Sequence, residues 1–408
     1  MSSPVTLAAY ALAPTTRHRD GLLDIGPRRR QLASSSIWLI FAVWSTAWTV
    51  VHLSSPAGSW HYFATGAKLL LEFSNPHGGL HLYHSNPQLQ IGPLSLLAAV
   101  PFTLLPAAVV KLTAAVVMSA VGLGLLALAA TLLPAESRFR ILWPGLLFIP
   151  VWEELAGRAG HLDDVLALTL TVAALVAVQR KHGIAGAMLL ALAADAKPWA
   201  LAFVPLLFVV PAARRLRALA WWAGTVALAW LPFLIADPRS VTAATYRIQN
   251  AAGSALRALG VNDPVTPWWC RPAQLLLGVG LGCLLWRRGR AAAIVLAVIA
   301  VRMLLDPGTW SYYTAGLLTG TVLLDLCRTG QRRAVPWFSA GAFLTLFVPS
   351  YLHFGPLSSP SVHGFLRAGF LLAAIVGAFT VSSDLTLAAP RVLGWRPPYP
   401  QAERIRAA

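Results

Sequence analysis

Apolar stretches of about 20 residues recur along this chain, and they limit the structures that it can adopt. Between Ile37 and about Val381, each such stretch is long enough to cross a hydrocarbon core of about 30 Å as an α-helix. The composition agrees, because 57% of the 408 residues are hydrophobic and only 12% are charged, a balance unusual for a soluble domain. A backbone inside a bilayer must satisfy its own hydrogen bonds, so the sequence predicts an all-α polytopic membrane protein. We expect about 10–12 transmembrane or re-entrant helices, with short helices in the outer loops.

Basic clusters mark the ends of the apolar stretches and predict which side of the membrane each end faces. These clusters are Arg28–Arg30, Arg214–Arg215, Arg287–Arg288 and Arg332–Arg333. The positive-inside rule places such clusters in cytoplasmic loops. The net charge of +17 therefore indicates topology and contact with anionic membrane lipids, and not a nucleic-acid partner. We expect a multi-pass protein of the plasma membrane with both termini in the cytoplasm.

The sequence divides into two polar tails and one membrane domain. We predict a cytoplasmic N-terminal tail at residues 1–35, a transmembrane domain at 36–385 and a cytoplasmic C-terminal tail at 386–408. Long outer loops are expected at about 54–91 and 237–272.

Two segments need separate interpretation. A short amphipathic piece from Tyr62 to Phe73 suits a helix on the membrane surface. Residues 91–160 contain three apolar segments where the topology requires an even number. Either the Pro-rich piece at 93–106 is re-entrant, or one of the three segments is not a span.

Acidic residues are scarce, and their positions outline a candidate site. Of the 15 acids, nine are expected on the outer side of the membrane in this topology. The nine are Glu72, Glu153, Glu154, Asp163, Asp164, Asp195, Asp237, Asp263 and Asp306. Ionisable groups at the ends of membrane helices are costly, so a cluster on one side indicates a functional site.

The stretch "GHLDD" supplies the candidate catalytic residues, His161, Asp163 and Asp164. An aspartate beside an imidazole can act as a general base that the imidazole orients. The alternative is purely structural, because Asp is a favoured N-cap residue and Asp163 precedes a long apolar helix.

Two basic residues are candidates for binding a phosphate. Lys197 in "ADAKPW" lies at an outer helix end, where an ammonium is a good point charge for a phosphate; alternatively, it extends to the interface. Arg302 lies four residues before Asp306. The two would share a helix face and can pair, either as part of a binding site or as a structural ion pair.

Aromatic and imidazole side chains complete the predicted substrate-binding set. Aromatic faces at a water-facing rim suit both sugar stacking and anchoring at the interface. These residues are His61, Tyr62, Trp199, Trp310, Tyr312 and Tyr313. The sequence has no Asp-x-Asp pair, so no metal site and no cofactor are predicted.

Carboxylates, fixed cations and aromatic rings at one membrane face suit a reaction on a lipid-linked phosphosugar. A carboxylate would take a proton from the acceptor hydroxyl, and Lys or Arg would stabilise the departing polyprenyl phosphate. The predicted partners are membrane lipids, a polyprenyl-phosphate sugar and a glycolipid or glycan acceptor.

Longer stretches of the sequence resemble a known group of enzymes. They are "LHLYHSNPQLQIGPLSLL", "GHLDD" and "AGAMLLALAADAKPWALAFVPLL". They are similar to segments of the actinobacterial C-type membrane glycosyltransferases that use polyprenyl-phosphate sugars, in particular the mannosyltransferase-like family with domain of unknown function 2029. The resemblance covers residues 37–380 and implies a GT-C-like fold. It also implies transfer of a mannose- or arabinose-type sugar to a cell-envelope glycolipid or glycan.

The chain departs from this family in its first outer loop. Enzymes of the family usually carry an acidic catalytic base shortly after the first span. Here Ser59, Trp60 and His61 occupy that place, and the first acid is Glu72. The base is then Asp163 or Asp164, His61 substitutes for it, or the chain is not a standard enzyme. Two other functions therefore stay open, namely a transporter or flippase for a lipid-linked saccharide and a non-catalytic lipid-binding protein of the same fold.

Overall fold

The computed structural model describes residues 27–54, 57–328, 335–352 and 359–381. Regular structure in these residues is helical apart from isolated bridges, such as the antiparallel pair of Gln249 and Val265. The prediction of an all-α protein is therefore confirmed for the described residues.

The predicted tails lie mostly outside the described residues, as does the basic pair Arg332–Arg333. The first helix begins at Pro27, eight residues before the predicted end of the N-terminal tail. Proline is favoured in the first turn of a helix and arginine is a good helix former, which explains the early start.

The α-helices are numbered in chain order. They are α1 Pro27–Val51, α2 Trp60–Leu71, α3 Leu82–Ser85, α4 Pro93–Ala99, α5 Ala107–Ala130, α6 Leu142–Glu153, α7 Leu162–Gln179, α8 Gly183–Ala196, α9 Ala212–Ala236, α10 Ala255–Ala258, α11 Cys270–Arg287, α12 Ala291–Leu304, α13 Tyr313–Cys327, α14 Trp337–Ala342, α15 Val348–Leu352 and α16 Pro360–Thr380.

Shorter helical turns of other types connect or extend these helices. The 3₁₀ helices are Gly79–His81, Val100–Leu104, Ala135–Ile141, Pro198–Val209 and Pro238–Thr245. The π-helices are Glu154–Ala159, which continues α6, and Phe343–Phe347, which joins α14 to α15.

Four helices in the described part of the chain, α5, α7, α9 and α16, are long and apolar enough to cross a membrane. They have 24, 18, 25 and 21 residues, or about 27–38 Å at 1.5 Å per residue. These helices support insertion into a membrane. Other apolar helices have 10–17 residues, so the larger count of membrane segments stays a prediction.

The Pro-rich segment at 93–106, which left an odd number of apolar segments in the predicted topology, is short. It forms α4 followed by the 3₁₀ helix Val100–Leu104, which together extend about 20 Å. This length is less than a hydrocarbon core of about 30 Å. Of the two alternatives, the structure favours a segment that does not cross the bilayer completely.

Helices α12 and α13 lie at the centre of the fold. All residues from Ala291 to Met303 in α12 and from Thr314 to Cys327 in α13 are buried. Gly320 allows the close packing of these helices, because a Cβ there would lie 2.6 Å from the Cα of Leu296. Small residues permit such close backbone approach between membrane helices.

Helix α9 lies at the periphery and presents apolar side chains to its surroundings. Leu216, Leu228 and Ile235 are 80%, 78% and 77% exposed. Only 11% of the most apolar stretch of this helix is buried. A continuous apolar surface of this kind is unfavourable in water. We interpret the outer face of α9 as a surface in contact with lipid.

Two helical hairpins bring distant parts of the sequence to one end of the fold. Helices α7 and α8 are joined by a turn at residues 180–182, and α12 and α13 by residues 305–312. Since neighbouring helices joined by short connections are antiparallel, each hairpin places the start of one helix beside the end of the other. The predicted site residues at these four helix ends are therefore neighbours.

Leu228→Asp tests the lipid contact of α9. A carboxylate near the centre of a spanning helix opposes insertion by about 2.5–3.5 kcal/mol, whereas an exposed Asp in water would cost little. We expect a large drop in the inserted fraction of a segment containing residues 212–236, measured with a glycosylation reporter. Leu228→Ile is the matched control, and equal insertion of both variants would contradict the lipid-facing assignment.

Candidate functional site

The twin aspartates of the first turn of α7 bind one lysine. The ammonium nitrogen Nζ of Lys197 lies 2.8 Å from Oδ2 of Asp163 and 2.6 Å from Oδ2 of Asp164. Both carboxylates are buried, at 3% and 4% exposure. Negative charge is also favoured at a helix N-terminus. The single ammonium of Lys197 balances one of the two carboxylates, so the three side chains together keep a net charge of −1.

The end of α8 places Lys197 in this position. Lys197 is extended, with φ −148° and ψ 118°, as expected for a residue before proline. The preceding carbonyl of Ala196 accepts hydrogen bonds from the Gly92 N–H and the Ser95 hydroxyl, both at 3.0 Å. The start of α4 therefore fixes the end of α8 from the other side.

His161 connects the aspartates to a hydroxyl from a distant part of the chain. Its Nε2 lies 3.0 Å from Ser59 Oγ, and its Nδ1 lies 3.5 Å from Asp163 Oδ1. The ring stacks on that of Tyr312, with centroids 3.9 Å apart. Nδ1 forms no hydrogen bond among the described residues, so the imidazole is held at Nε2 and on one face.

Backbone hydrogen bonds bring Ser59 to His161. The N–H groups of residues 57, 58 and 59 donate to the carbonyls of residues 157, 158 and 159, each at 2.8 Å. The π-helix then ends at Gly160, which is left-handed with φ +69°. Ala57 is also left-handed, with φ +47°, a conformation that costs a non-glycine residue about 1–2 kcal/mol.

Arg302 is a buried cation that forms no ion pair with a carboxylate in the described part of the chain. Its guanidinium lies between two aromatic rings, 4.6 Å from the centroid of Trp199 and 4.5 Å from that of Tyr313. The residue is 7% exposed. Among the described residues it forms no ion pair within 4.0 Å, and no side chain or carbonyl accepts a hydrogen bond from it. Cation–π contacts hold it in place and leave its N–H donors for another acceptor.

The expected pairing of Arg302 with Asp306 is wrong. Helix α12 ends at Leu304, so the two residues do not lie one turn apart on a helix face. Asp306 Oδ1 instead accepts the backbone N–H of Gly308 at 2.8 Å. The carboxylate therefore shapes the loop before α13.

A narrow cleft lies between these groups. Its walls are Asp164, Leu168, Trp199, Arg302, Tyr312, Tyr313 and Gly316. In this conformation the cleft does not admit a water molecule. A phosphate or a sugar can enter only if the helices or aromatic side chains that form these walls move apart.

The structure does not bring every predicted residue into this cluster. His61 and Tyr62 are exposed, their rings are 3.9 Å apart, and His61 Nδ1 is bonded to the carbonyl of Gly58. No described contact joins either residue to the aspartates, Lys197 or Arg302. Trp310 lies at the rim, 58% exposed, with its ring 6.2 Å from that of Tyr312.

Other polar residues near the cluster were not predicted, or were predicted without their partners. Glu154 Oε1 accepts hydrogen bonds at 2.5 Å from Ser311 Oγ and from Arg158. Ser59 was also missed, because a serine carries no distinctive signal in an apolar sequence. The fully buried Glu153 accepts hydrogen bonds from three hydroxyl groups on α1 and α5. They belong to Ser45 at 2.6 Å, Ser119 at 2.6 Å and Thr49 at 3.1 Å.

The cluster contains ligand types that metal ions use. One ligand atom from each of His161, Asp163 and Asp164 lies within 4.8 Å of the others. The ammonium of Lys197, however, already contacts both carboxylates and supplies the positive charge that a metal would bring. We therefore describe the chemistry of the site through its side chains.

Comparisons with known proteins do not identify a relative. The chain matches no protein-family model, no curated protein and no solved structure.

Gly160→Ala tests the junction that places His161 beside Ser59. A Cβ at residue 160 would lie 2.7 Å from the Cβ of Ala57, whereas at Gly289, with a similar φ of +71°, nothing lies within 4 Å. Both substitutions carry the strain of a left-handed alanine, about 1–2 kcal/mol, but only the first adds a steric clash. We expect a larger loss of thermal stability in detergent for Gly160→Ala than for Gly289→Ala, and equal losses would contradict the close approach.

Lys197→Met tests the ion pair. Removing one partner of a buried salt bridge typically costs about 3–5 kcal/mol, because it leaves uncompensated charge. We expect the variant to unfold at a clearly lower denaturant concentration. Adding Asp163→Asn and Asp164→Asn should restore much of the loss. Unchanged unfolding of Lys197→Met would show that the charges are solvated and not paired.

Proposed function

We propose that this chain is a membrane glycosyltransferase that transfers a sugar from a polyprenyl-phosphate donor to a hydroxyl of a cell-envelope glycolipid or glycan. In this proposal it has a GT-C-like polytopic fold in the plasma membrane, with both termini in the cytoplasm and the site on the outer side. The sugar is of the mannose or arabinose type, as the family resemblance implies.

The observation that carries the proposal is the arrangement of Arg302. A guanidinium without a carboxylate partner, held between two aromatic rings, is suited to a phosphate, which accepts hydrogen bonds from its N–H groups. Asp164 and the aromatic rings of Tyr312 and Tyr313 line the same closed cleft. Anion binding and aromatic contact surface, which a lipid-linked phosphosugar requires, thus occur together.

The geometry also supports a refined assignment of the base. Asp163 and Asp164 share the ammonium of Lys197, so one oxygen of each carboxylate is already engaged in an ion pair. His161 instead has Nε2 directed toward a hydroxyl and Nδ1 toward Asp163. In the proposed reaction His161 takes the proton of the acceptor hydroxyl, and Asp163 stabilises the resulting imidazolium. Arg302 binds the departing phosphate, while Lys197 holds the aspartates in place.

A non-catalytic lipid-binding protein is the second candidate. The closed cleft and the neutralisation of Lys197 by two carboxylates favour it, since both features also suit a purely structural core. Both candidates would bind the polyprenyl-phosphate donor, but only the glycosyltransferase would transfer its sugar.

Donor binding and sugar transfer are tested separately, with full-length protein in lipid nanodiscs and polyprenyl-phosphate mannose as the probe. For Arg302→Gln we expect binding to weaken about tenfold to a hundredfold, the range for losing a hydrogen bond to a charged group. Arg302→Lys should retain part of the affinity, because it keeps the charge but not the planar fork.

Transfer is measured with the double variant Asp163→Asn and Asp164→Asn. Removing the carboxylate that stabilises the imidazolium of the base His161 should lower turnover by up to about 10²–10⁴-fold, the contribution of general-base catalysis, while donor binding persists. Asp237→Asn, at the end of α9 and bonded to Arg239, is the matched control and should transfer normally. Undiminished turnover in the double variant would remove Asp163 and Asp164 from the proposed mechanism. Donor binding by the wild type without any turnover would favour the non-catalytic candidate.

A further inference from the structure

We propose that Ser59, His161 and Asp163 form a nucleophilic triad in which Ser59 Oγ attacks the carbonyl carbon of a lipid ester. The Oγ to Nε2 distance is 3.0 Å and the Nδ1 to Oδ1 distance is 3.5 Å. A nucleophile, a base and an orienting carboxylate in this sequence define serine catalysis on unrelated folds, and such contacts are often looser before substrate binds. The inference goes beyond the proposed sugar transfer and does not require it.

The Ser59 hydroxyl is turned away from its usual structural task. Ser59 is the N-cap of α2, where a serine side chain normally accepts a hydrogen bond from a backbone N–H of the first turn. No such bond forms here. The hydroxyl instead approaches the imidazole of a residue 102 positions away. The Ser59 backbone is helical, with φ −88° and ψ −1°, so its hydroxyl does not cap α2 and contacts His161 instead.

The other two members of the proposed triad lie 3.5 Å apart, Nδ1 to Oδ1, without a hydrogen bond between them. Asp163 Oδ1 accepts the backbone N–H of Asp164 at 2.9 Å, and Oδ2 contacts Lys197. With Oδ2 held by Lys197, Oδ1 is the oxygen that lies near His161, 3.5 Å from Nδ1. This favours the imidazole tautomer that carries its proton on Nδ1, which leaves Nε2 free to accept the proton of Ser59. Stacking on Tyr312 fixes the ring plane.

Backbone strain coincides with this contact. Ala57, two residues before Ser59, is a left-handed non-glycine residue, and the three hydrogen bonds from residues 57–59 to 157–159 hold it there. Strained residues and π-helical turns are concentrated at functional sites. The same ladder that bears the strain sets the distance between Ser59 and His161.

The surroundings of Ser59 suit an ester of a long-chain lipid. Ser59 is half-buried, and the helix that it begins carries exposed apolar side chains toward its end, with Leu71 at 52% and Phe73 just beyond it at 74%. Such a surface can lie in the lipid interface.

The chemical step needs no further reactant to form the acyl-enzyme. The Oγ–H bond of Ser59 breaks as its proton moves to His161 Nε2, and an Oγ–C bond forms at the ester carbonyl. The bond from that carbon to the alkoxy oxygen then breaks, and the leaving alkoxide takes the proton from Nε2. Water or an alcohol subsequently attacks the acyl group by the reverse sequence and regenerates Ser59.

Two other Ser–His pairs provide internal controls. Ser85 Oγ lies 3.2 Å from His77, and Ser350 Oγ lies 3.0 Å from His363. Within the described part of the chain, neither imidazole has a carboxylate within 4.0 Å. They therefore reproduce the Ser–His contact without the third member.

The test uses the purified full-length chain in detergent and a long-chain alkyl fluorophosphonate, which reacts with activated serines. Oγ displaces fluoride at phosphorus, and the serine proton leaves through the histidine. We expect one adduct per chain, located at Ser59 by peptide mass. Ser59→Ala should abolish it, and His161→Gln should slow it by about 10²-fold or more, the contribution of a general base. Ser85→Ala and Ser350→Ala should react like the wild type.

Three results would overturn the triad. They are no adduct on the wild type, labelling of Ser85 or Ser350 as fast as that of Ser59, and an unchanged rate in His161→Gln. Elution volume and thermal unfolding of each variant establish that it is folded, and Asp163→Asn provides a further slowed variant. His161 and Asp163 serve both proposals, but Ser59 serves only the triad, so Ser59→Ala should lose the adduct while polyprenyl-phosphate binding by Arg302 and sugar transfer persist.

Discussion

The bond between one ammonium and two carboxylates organises this end of the molecule. Lys197 ends α8, and the aspartates begin α7, so their contact closes the hairpin at its open end. Buried charges are tolerated only when they are paired and hydrogen-bonded, which fixes both aspartates in orientation. Asp163 is thereby directed toward His161, while Asp164 accepts a hydrogen bond from Trp199 at 3.3 Å. The Trp199 ring in turn packs on the guanidinium of Arg302, so it links the ion pair to this second cation.

The two cations of the cluster differ in what surrounds them. Lys197 has carboxylate partners at short distance, whereas Arg302, among the residues that the structure describes, contacts the faces of two aromatic rings and no carboxylate within 4.0 Å. Ring faces stabilise a guanidinium without occupying its N–H donors, which lie in its plane. Lys197 therefore has a structural role, and Arg302 is the cation of this cluster that an external anion can bind. This distinction underlies the division of roles between positioning and binding in the proposed function.

The sequence predicted the charged part of the cluster because charge is conspicuous in apolar surroundings. Asp163, Asp164, Lys197 and Arg302 could be found in this way, and helical hairpins explain why they meet. The contact of Ser59 with His161 could not be predicted, since it depends on a π-helical turn and a backbone ladder between segments about 100 residues apart. The Arg302–Asp306 pairing failed for a related reason, because the four-residue spacing holds only while the helix continues.

The closed cleft has a consequence for the rate at which a ligand binds. Its walls belong to α7, α12 and α13 and to Trp199, and the two central helices are buried along almost their entire length. Parting them breaks close-packed contacts before any new contact forms. Association is then limited by how often the walls separate, and such binding is slower than a diffusive encounter with an open groove. At high ligand concentration the observed rate would level off at the opening rate of the protein, whatever the ligand.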